Sequence, residues 1–230
     1  VKLKGIISAI VTPFTKGGEF VDFDKIGPVA EYLVKHGAGG LFVCGTTGEG
    51  MLLSAEERKE VLEEVVAVAG KKTDVVAHTG ALDTATTVEL TLHAAETGAK
   101  CAAVVAPPYY GYDDTALKDF FRTVAKAADG FPILLYNIPG CAGNALSAEL
   151  VLELAEDPNI VGMKDSSGDM KYLTRLIGNA PRRFQIINGA DEFGYQAFVS
   201  GTHAAVSGTS NVVLDLYAKV HRNVEAGKLK

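Results

Sequence analysis

PILLYNIPGCAGNALSAELVLELAEDPNIVGMKD, residues 132–165, contains the plan of the whole chain in one repeat. It opens on an apolar, β-rich run, PILLYN (132–137), and crosses a Pro- and Gly-containing turn. It continues at helical spacing from Ser147 to Ala155 and returns to a second apolar run, NIVGMKD (159–165). Two strands apolar enough to be covered on both faces, with a helix between them, describe a parallel crossover. The same alternation extends in both directions. GIISAIV (5–11), GGLFVCG (39–45), DVVAHTG (74–80) and AAVVAPP (102–108) precede it, and FQIING (184–189) and HAAVSG (203–208) follow.

Helix-period segments separate these runs at 22–35, 55–69, 85–96, 115–127, 170–177, 192–198 and 212–224. Ser54-Ala-Glu-Glu57 fits a capping box, Ser147 stands at a helix start, and His36-Gly37 and Ala69-Gly70 read as helix ends. Eight β-α units in the α/β class predict a (β/α)8 TIM barrel, with an open doubly wound sheet as the alternative. No linker or low-complexity tract divides the chain, so 1–230 reads as a single barrel domain.

The 230 residues are 47% hydrophobic and 22% charged, which suits a globular protein with a full core. A net charge of -6 without a basic run argues against a nucleic-acid or anionic-membrane surface. Cys44, Cys101 and Cys141 lie far apart with no C-x-x-C, so neither a disulfide framework nor a zinc knuckle is expected, and a reducing cytoplasm is the default compartment. The apolar start meets Thr12-Pro13 too soon for a signal sequence, and no run approaches membrane-spanning length.

In a barrel of this kind the chemistry sits at the carboxyl ends of the strands, so the residues after each apolar run should line one mouth. They are Thr12-Pro13, Gly45-Thr46-Thr47-Gly48-Glu49, His78-Thr79-Gly80, Pro107-Pro108-Tyr109-Tyr110, Tyr136-Asn137, Lys164-Asp165, Asn188-Gly189 and Ser207-Gly208-Thr209. No cluster of His with carboxylates suggests a metal, and no phosphate-binding glycine loop or nucleophile elbow follows a strand. His78 stands alone and reads as a structural histidine. Lys164, at the end of an apolar run, loses hydration there; this disfavours the charged form, and a neutral amine attacks carbonyls. The other reading pairs Lys164 with Asp165 or with a carboxylate of the next loop. Tyr136 is either a proton relay one strand away or an aromatic capping the core. Thr46 and Thr47, between glycines, offer hydroxyls and N–H groups to an anion.

GTTGE (45–49), PPYY (107–110), YNIP (136–139), GMKDSSGD (162–169), NGADE (188–192) and HAAVSGTSN (203–211) together resemble the dihydrodipicolinate synthase and N-acetylneuraminate lyase family over nearly the whole chain. The resemblance implies a (β/α)8 barrel in which Lys164 forms an imine with the C2 carbonyl of pyruvate or another 2-oxo acid. The covalent imine would make a separate cofactor unnecessary, and the second substrate would be an aldehyde. Tyr136 would shuttle protons and Thr47 would bind the pyruvate carboxylate. Thr46 would link Tyr136 to Tyr110 of a neighbouring subunit, and Gly189 and Val206 would floor the pocket. A homodimer or homotetramer is implied with them.

Two departures qualify the match. Synthases of the family carry an arginine two residues beyond the YN-x-P proline, and this chain has Cys141 there, which cannot supply a bidentate, always-charged fork. Arg182 and Arg183 precede the seventh strand and are expected to point away from the mouth. Cys141, with no histidine in its segment, reads as a small residue of the second-substrate region rather than a nucleophile. The family also carries further helices after the eighth unit, and that extension is largely absent from these residues. The leading expectation is a class I lyase or aldolase for a 2-keto-3-deoxy sugar acid or similar 2-oxo acid. The alternatives are 4-hydroxy-tetrahydrodipicolinate synthase itself, joining pyruvate to aspartate semialdehyde, and a catalytically silent binder of 2-oxo acids.

Overall fold

The computed structural model describes residues 1–229. Its eight strands are all parallel and close into a barrel in chain order. They are β1 (Gly5–Ala9), β2 (Gly40–Val43), β3 (Asp74–His78), β4 (Cys101–Val105), β5 (Ile133–Asn137), β6 (Ile160–Asp165), β7 (Gln185–Asn188) and β8 (Ala204–Ser207). The connecting helices are α1 (Phe23–Lys35), α2 (Ala55–Ala69), α3 (Thr84–Thr97), α4 (Asp114–Ala127), α5 (Pro139–Ala142), α6 (Ala148–Leu154), α7 (Met170–Asn179), α8 (Gly194–Ser200) and α9 (Ser210–Glu225). Pairing of Ile6 with Ala205 and Ile7 with Val206 joins the last strand to the first, which rules out the open sheet.

Strand alternation sorts the side chains. Ile7, Phe42, Val76, Ala103, Tyr136 and Val206 pack together in the lumen. Their neighbours Ile6, Leu41, Val75 and Ala205 pack outward with α1, α2 and α9, and Leu135, Met163 and Ile186 with α4, α6 and α7. Burial on both faces is why every strand reads as an unbroken apolar run.

One irregularity positions the site. Along β5 and β6, Ile133 pairs with Ile160 but Leu134 pairs with Gly162, so Val161 is an extra residue, a β-bulge. The bulge sets Tyr136 opposite Lys164; in a regular register Tyr136 would face Met163, and Lys164 would fall out of step with it. Gly162 is required at this point, because a Cβ would sit 2.5 Å from the Gln185 carbonyl oxygen.

The local signals differ from the structure only in detail. The Ser54 hydroxyl accepts from the Glu57 N–H at 3.2 Å and the Glu57 carboxylate accepts from the Ser54 N–H at 2.8 Å, completing the capping box. Gly70 closes α2 in the right-handed rather than the left-handed conformation. The turn after β5 holds one unforeseen helical turn, α5, started by Pro139 and stopped by Gly143 at φ +73°. The segment expected at 192–198 divides into a 3-10 turn, Asp191–Phe193, and α8. Helix α9 starts earlier than expected and bends at Val213, whose φ of -124° interrupts the first turn.

Candidate active site

Lys164 and Tyr136 come from adjacent strands and face each other in register. The Lys164 Nζ lies 3.9 Å from the centroid of the Tyr136 ring and 4.5 Å from that of Phe42, with only 5% of the residue exposed. The aromatic faces offer the amine an electron-rich bed in place of water. Asp165 is not its partner. Alternation along β6 turns Asp165 away from the lumen, where its carboxylate accepts from Asn137 Nδ2 at 2.8 Å and from the Ser167 hydroxyl at 2.9 Å. Burial is the largest influence on Asp165 and raises its pKa above the ordinary carboxylate range, against the lowering effect of those bonds.

The Tyr136 hydroxyl shares a hydrogen bond of 3.1 Å with the Thr46 hydroxyl. The loop that presents Thr46 and Thr47 is held by close backbone approach: a Cβ on Gly50 would lie 1.8 Å from the Cys44 carbonyl oxygen, and one on Gly48 would lie 2.8 Å from that of Ile10. Thr47 reaches across the mouth, its hydroxyl 3.0 Å from where a Gly208 Cβ would stand. Gly189 donates its N–H to the Asp165 carbonyl at 2.7 Å and leaves space occupied by the Lys164 stem, since a Cβ there would be 2.8 Å from Lys164 Cε. Val206 is buried in the lumen cluster with Tyr136.

Two of the sequence-derived residues stand apart. Tyr110 is 67% exposed and rests edge-on against Tyr109, ring centroids 4.9 Å apart, rather than on Thr46 of its own chain. Cys141 lies on α5 with an exposed thiol. Arg182 and Arg183 line a cavity with Leu3 and Gln185, at the amino-terminal end of the barrel and away from the mouth. Among the described residues no group of three or more His, Cys, Asp or Glu lies close enough to hold a metal ion, and no helix is long and apolar enough to cross a membrane.

Residues 2–230 match the dihydrodipicolinate synthetase family. The chain belongs to that family. Rat N-acetylneuraminate lyase is 40% identical over 100% of this chain and 72% of its own length. A Ruminococcus gnavus sialic acid aldolase, solved as a catalytic lysine mutant, superposes with a TM-score of 0.94 at 32% identity, covering 99% of this chain and 74% of that one. The chloride-inhibited dihydrodipicolinate synthase of Acinetobacter baumannii, solved with pyruvate, reaches 0.94 at 34% identity over 99% of this chain and 77% of that one. Membership makes this chain a lyase of the class I, pyruvate-dependent type.

Within that family frame, the mouth of this member holds groups that strand-end reading passed over. Phe42 forms part of the bed under Lys164, a contact only barrel closure creates. Asp191, in the 3-10 turn after β7, accepts from the Thr209 N–H through Oδ2 at 3.0 Å, while its buried Oδ1 has no partner. NGADE itself was the available signal for Asp191, since an acid three residues past a barrel strand falls on the mouth. His78 is buried, with Nδ1 2.9 Å from the Cys44 carbonyl oxygen; burial first, then the nearby Arg58 charge, push its pKa down to about 3. Arg58 itself lies on α2 at helical spacing from Val61, Leu62 and Val65, so periodicity places it on the buried stripe.

Proposed function

We propose that the chain cleaves, and in reverse forms, a 2-keto-3-deoxy sugar acid or closely similar 2-oxo acid through an imine on Lys164, within one catalytic barrel domain spanning 1–230. The observation that carries this reading is the Lys164 amine resting on the ring of Tyr136, whose hydroxyl is bonded to Thr46.

The amine adds to the C2 carbonyl to give a carbinolamine, and loss of water gives the iminium. Water serves the protons of these two steps, and the Tyr136–Thr46 hydroxyl pair serves the later ones, taking the C4 hydroxyl proton and delivering one to C3. The positively charged iminium then draws the electron pair of the C3–C4 bond as the C4 hydroxyl gives up its proton, so the aldehyde leaves and the pyruvate enamine remains. Protonation at C3 and addition of water return pyruvate and the free amine. No separate cofactor enters these steps. Thr47 and the N–H groups of its glycine-bounded loop hold the 2-oxo acid carboxylate, and Gly189 and Val206 form the floor beneath it.

Two features favour a polyhydroxylated partner over aspartate semialdehyde. Cys141 supplies no cation for a second carboxylate, and the carboxylate of Asp191 at the mouth accepts from hydroxyl groups but repels carboxylates. The exposed Tyr109–Tyr110 pair supports a dimer, or a tetramer built of dimers, in which Tyr110 reaches the Thr46 of a neighbouring subunit. Free Cys44, Cys101 and Cys141 suit a reducing cytoplasm.

Incubation with pyruvate and borohydride followed by peptide mass analysis tests the first step. An adduct on Lys164 is expected, and its absence refutes the imine. Parallel assays of 2-keto-3-deoxygluconate cleavage and of condensation with aspartate semialdehyde then test the substrate class, and efficient condensation refutes the sugar-acid reading.

A further inference from the structure

We infer that Arg58 and His78, neither of which contacts the Lys164 amine, form a positioning pair that holds the Tyr136 ring and so aims its hydroxyl for the proton-transfer step; this rests on the imine reading above.

Arg58 is 6% exposed, and among the described residues no carboxylate compensates it. A buried, unpaired cation costs several kcal/mol in general, whereas an apolar side chain at the same helix position would bury without that cost. Arg58 is instead held at a strand end: its Nη2 donates to the His78 carbonyl at 2.7 Å, while its buried Nε has no partner. His78 in turn points Nδ1 at the Cys44 carbonyl oxygen, 2.9 Å away. A carbonyl only accepts, so Nδ1 carries the hydrogen and Nε2 is a bare acceptor, enclosed and without a partner. The Arg58 Nη2 is also 3.5 Å from Nδ1, a donor facing a donor, and its charge opposes a second proton on the ring.

The neutral ring is thereby fixed as a wedge in the lumen. Its centroid is 6.2 Å from Phe42 and 5.7 Å from Tyr136, which lie 5.8 Å from each other at 79°. Lys164 Nζ rests on two of these three rings. A charged His78 would put a buried cation next to Arg58; burial first, then Arg58 and Lys164, hold its pKa near 3. Moving the wedge tilts Tyr136 and opens its 3.1 Å bond to Thr46.

Two measurements test the pair. In wild-type protein with 15N-labelled histidine, the His78 ring should remain the neutral Nδ1–H tautomer from about pH 5 to 8. The Nε2–H tautomer, or a titration inside that window, would overturn the proposal. In Arg58→Met and His78→Phe, borohydride trapping of pyruvate on Lys164 should stay within about threefold of wild type, while deuterium exchange at C3 of pyruvate falls about tenfold or more, with Arg58→Lys intermediate. Folded variants that keep exchange within about twofold, or lose trapping and exchange equally, refute a role in aiming Tyr136. If Arg58→Met does not fold, His78→Phe and the tautomer measurement decide. Failure of wild type to trap pyruvate would refute the imine reading alone, and the ring spectrum would still report on the pair.

Discussion

Gly189→Ala isolates the geometry of the lysine from its chemistry. The backbone at Gly189 lies outside the left-handed region, so alanine brings no conformational strain and the effect is steric. The new Cβ would stand 2.2 Å from Ser166 Oγ, 2.8 Å from Lys164 Cε and 3.1 Å from the Asp165 carbonyl oxygen, against ordinary contact beginning at 3.4 Å. The serine hydroxyl can rotate away, breaking its 3.2 Å bond to the Gly189 carbonyl. The lysine stem must then retreat by about 0.6 Å, and its amine by a comparable distance, off the Tyr136 ring. Overpacking of this size costs about 1–3 kcal/mol, or about 2–4 °C in Tm for each kcal/mol. Misplacing a reacting atom by about 1 Å costs on the order of a hundredfold in rate. The expected variant is therefore folded, slightly less heat-stable, and slower in imine trapping by about ten- to a hundredfold. Calorimetry and timed borohydride trapping measure the two quantities separately. An alanine variant that traps pyruvate at the wild-type rate would show that Lys164 has free space the structure does not give it.

Tyr136→Phe keeps the ring under Lys164 but removes the hydroxyl bonded to Thr46, so kcat should fall about 10²- to 10⁴-fold while borohydride still traps an adduct, which mass analysis will show. Loss of kcat of less than about threefold would exclude Tyr136 as the proton carrier. Cys141→Arg places a guanidinium on exposed α5 and should raise kcat/KM for condensation with aspartate semialdehyde by about ten- to a hundredfold, the worth of a charged hydrogen bond; an unchanged value would remove Cys141 from the second-substrate site. For His78 the sign is set by a folded-state pKa near 3 against an ordinary 6.5: the unfolded chain takes up a proton first, so its stabilising contribution is complete above pH 6.5 and is lost as pH falls towards 3. Urea midpoints at about pH 7 and pH 4.5 should thus separate more in wild type than in His78→Phe, by up to about 1.4 kcal/mol per pH unit below 6.5, and equal separations would mean His78 is not buried neutral.

Local information went far with the barrel and less far with the mouth. The apolar runs, the Ser54–Glu57 box and the helix stops are short-range, written within a few residues, and the structure places strands and helices where they point. The boundaries that moved, at α5, α8 and α9, are those where one turn of helix depends on Pro139, Gly143 or a bend at Val213 rather than on a long periodic stretch. Lys164 and Tyr136 stood out because a charge and a phenol closing buried strands are conspicuous in any alignment of strand ends. Arg58 did not, because a charged residue on a helix is ordinary until it is set against the buried stripe of Val61, Leu62 and Val65.

What the sequence by itself determined is the set of eight strand ends and the residue types they carry into one mouth, because strand and helix periods are local properties of the chain. What only the tertiary structure decided is the geometry among them. The bulge at Val161 puts Lys164 rather than Met163 opposite Tyr136, closure from β8 to β1 brings Phe42 and Val206 into the same lumen, and burial first, then the Arg58 charge from outside the wall, keep His78 neutral. Register and burial are properties of the closed barrel, set by hydrogen bonds and packing between residues far apart in the chain, and no local pattern encodes them.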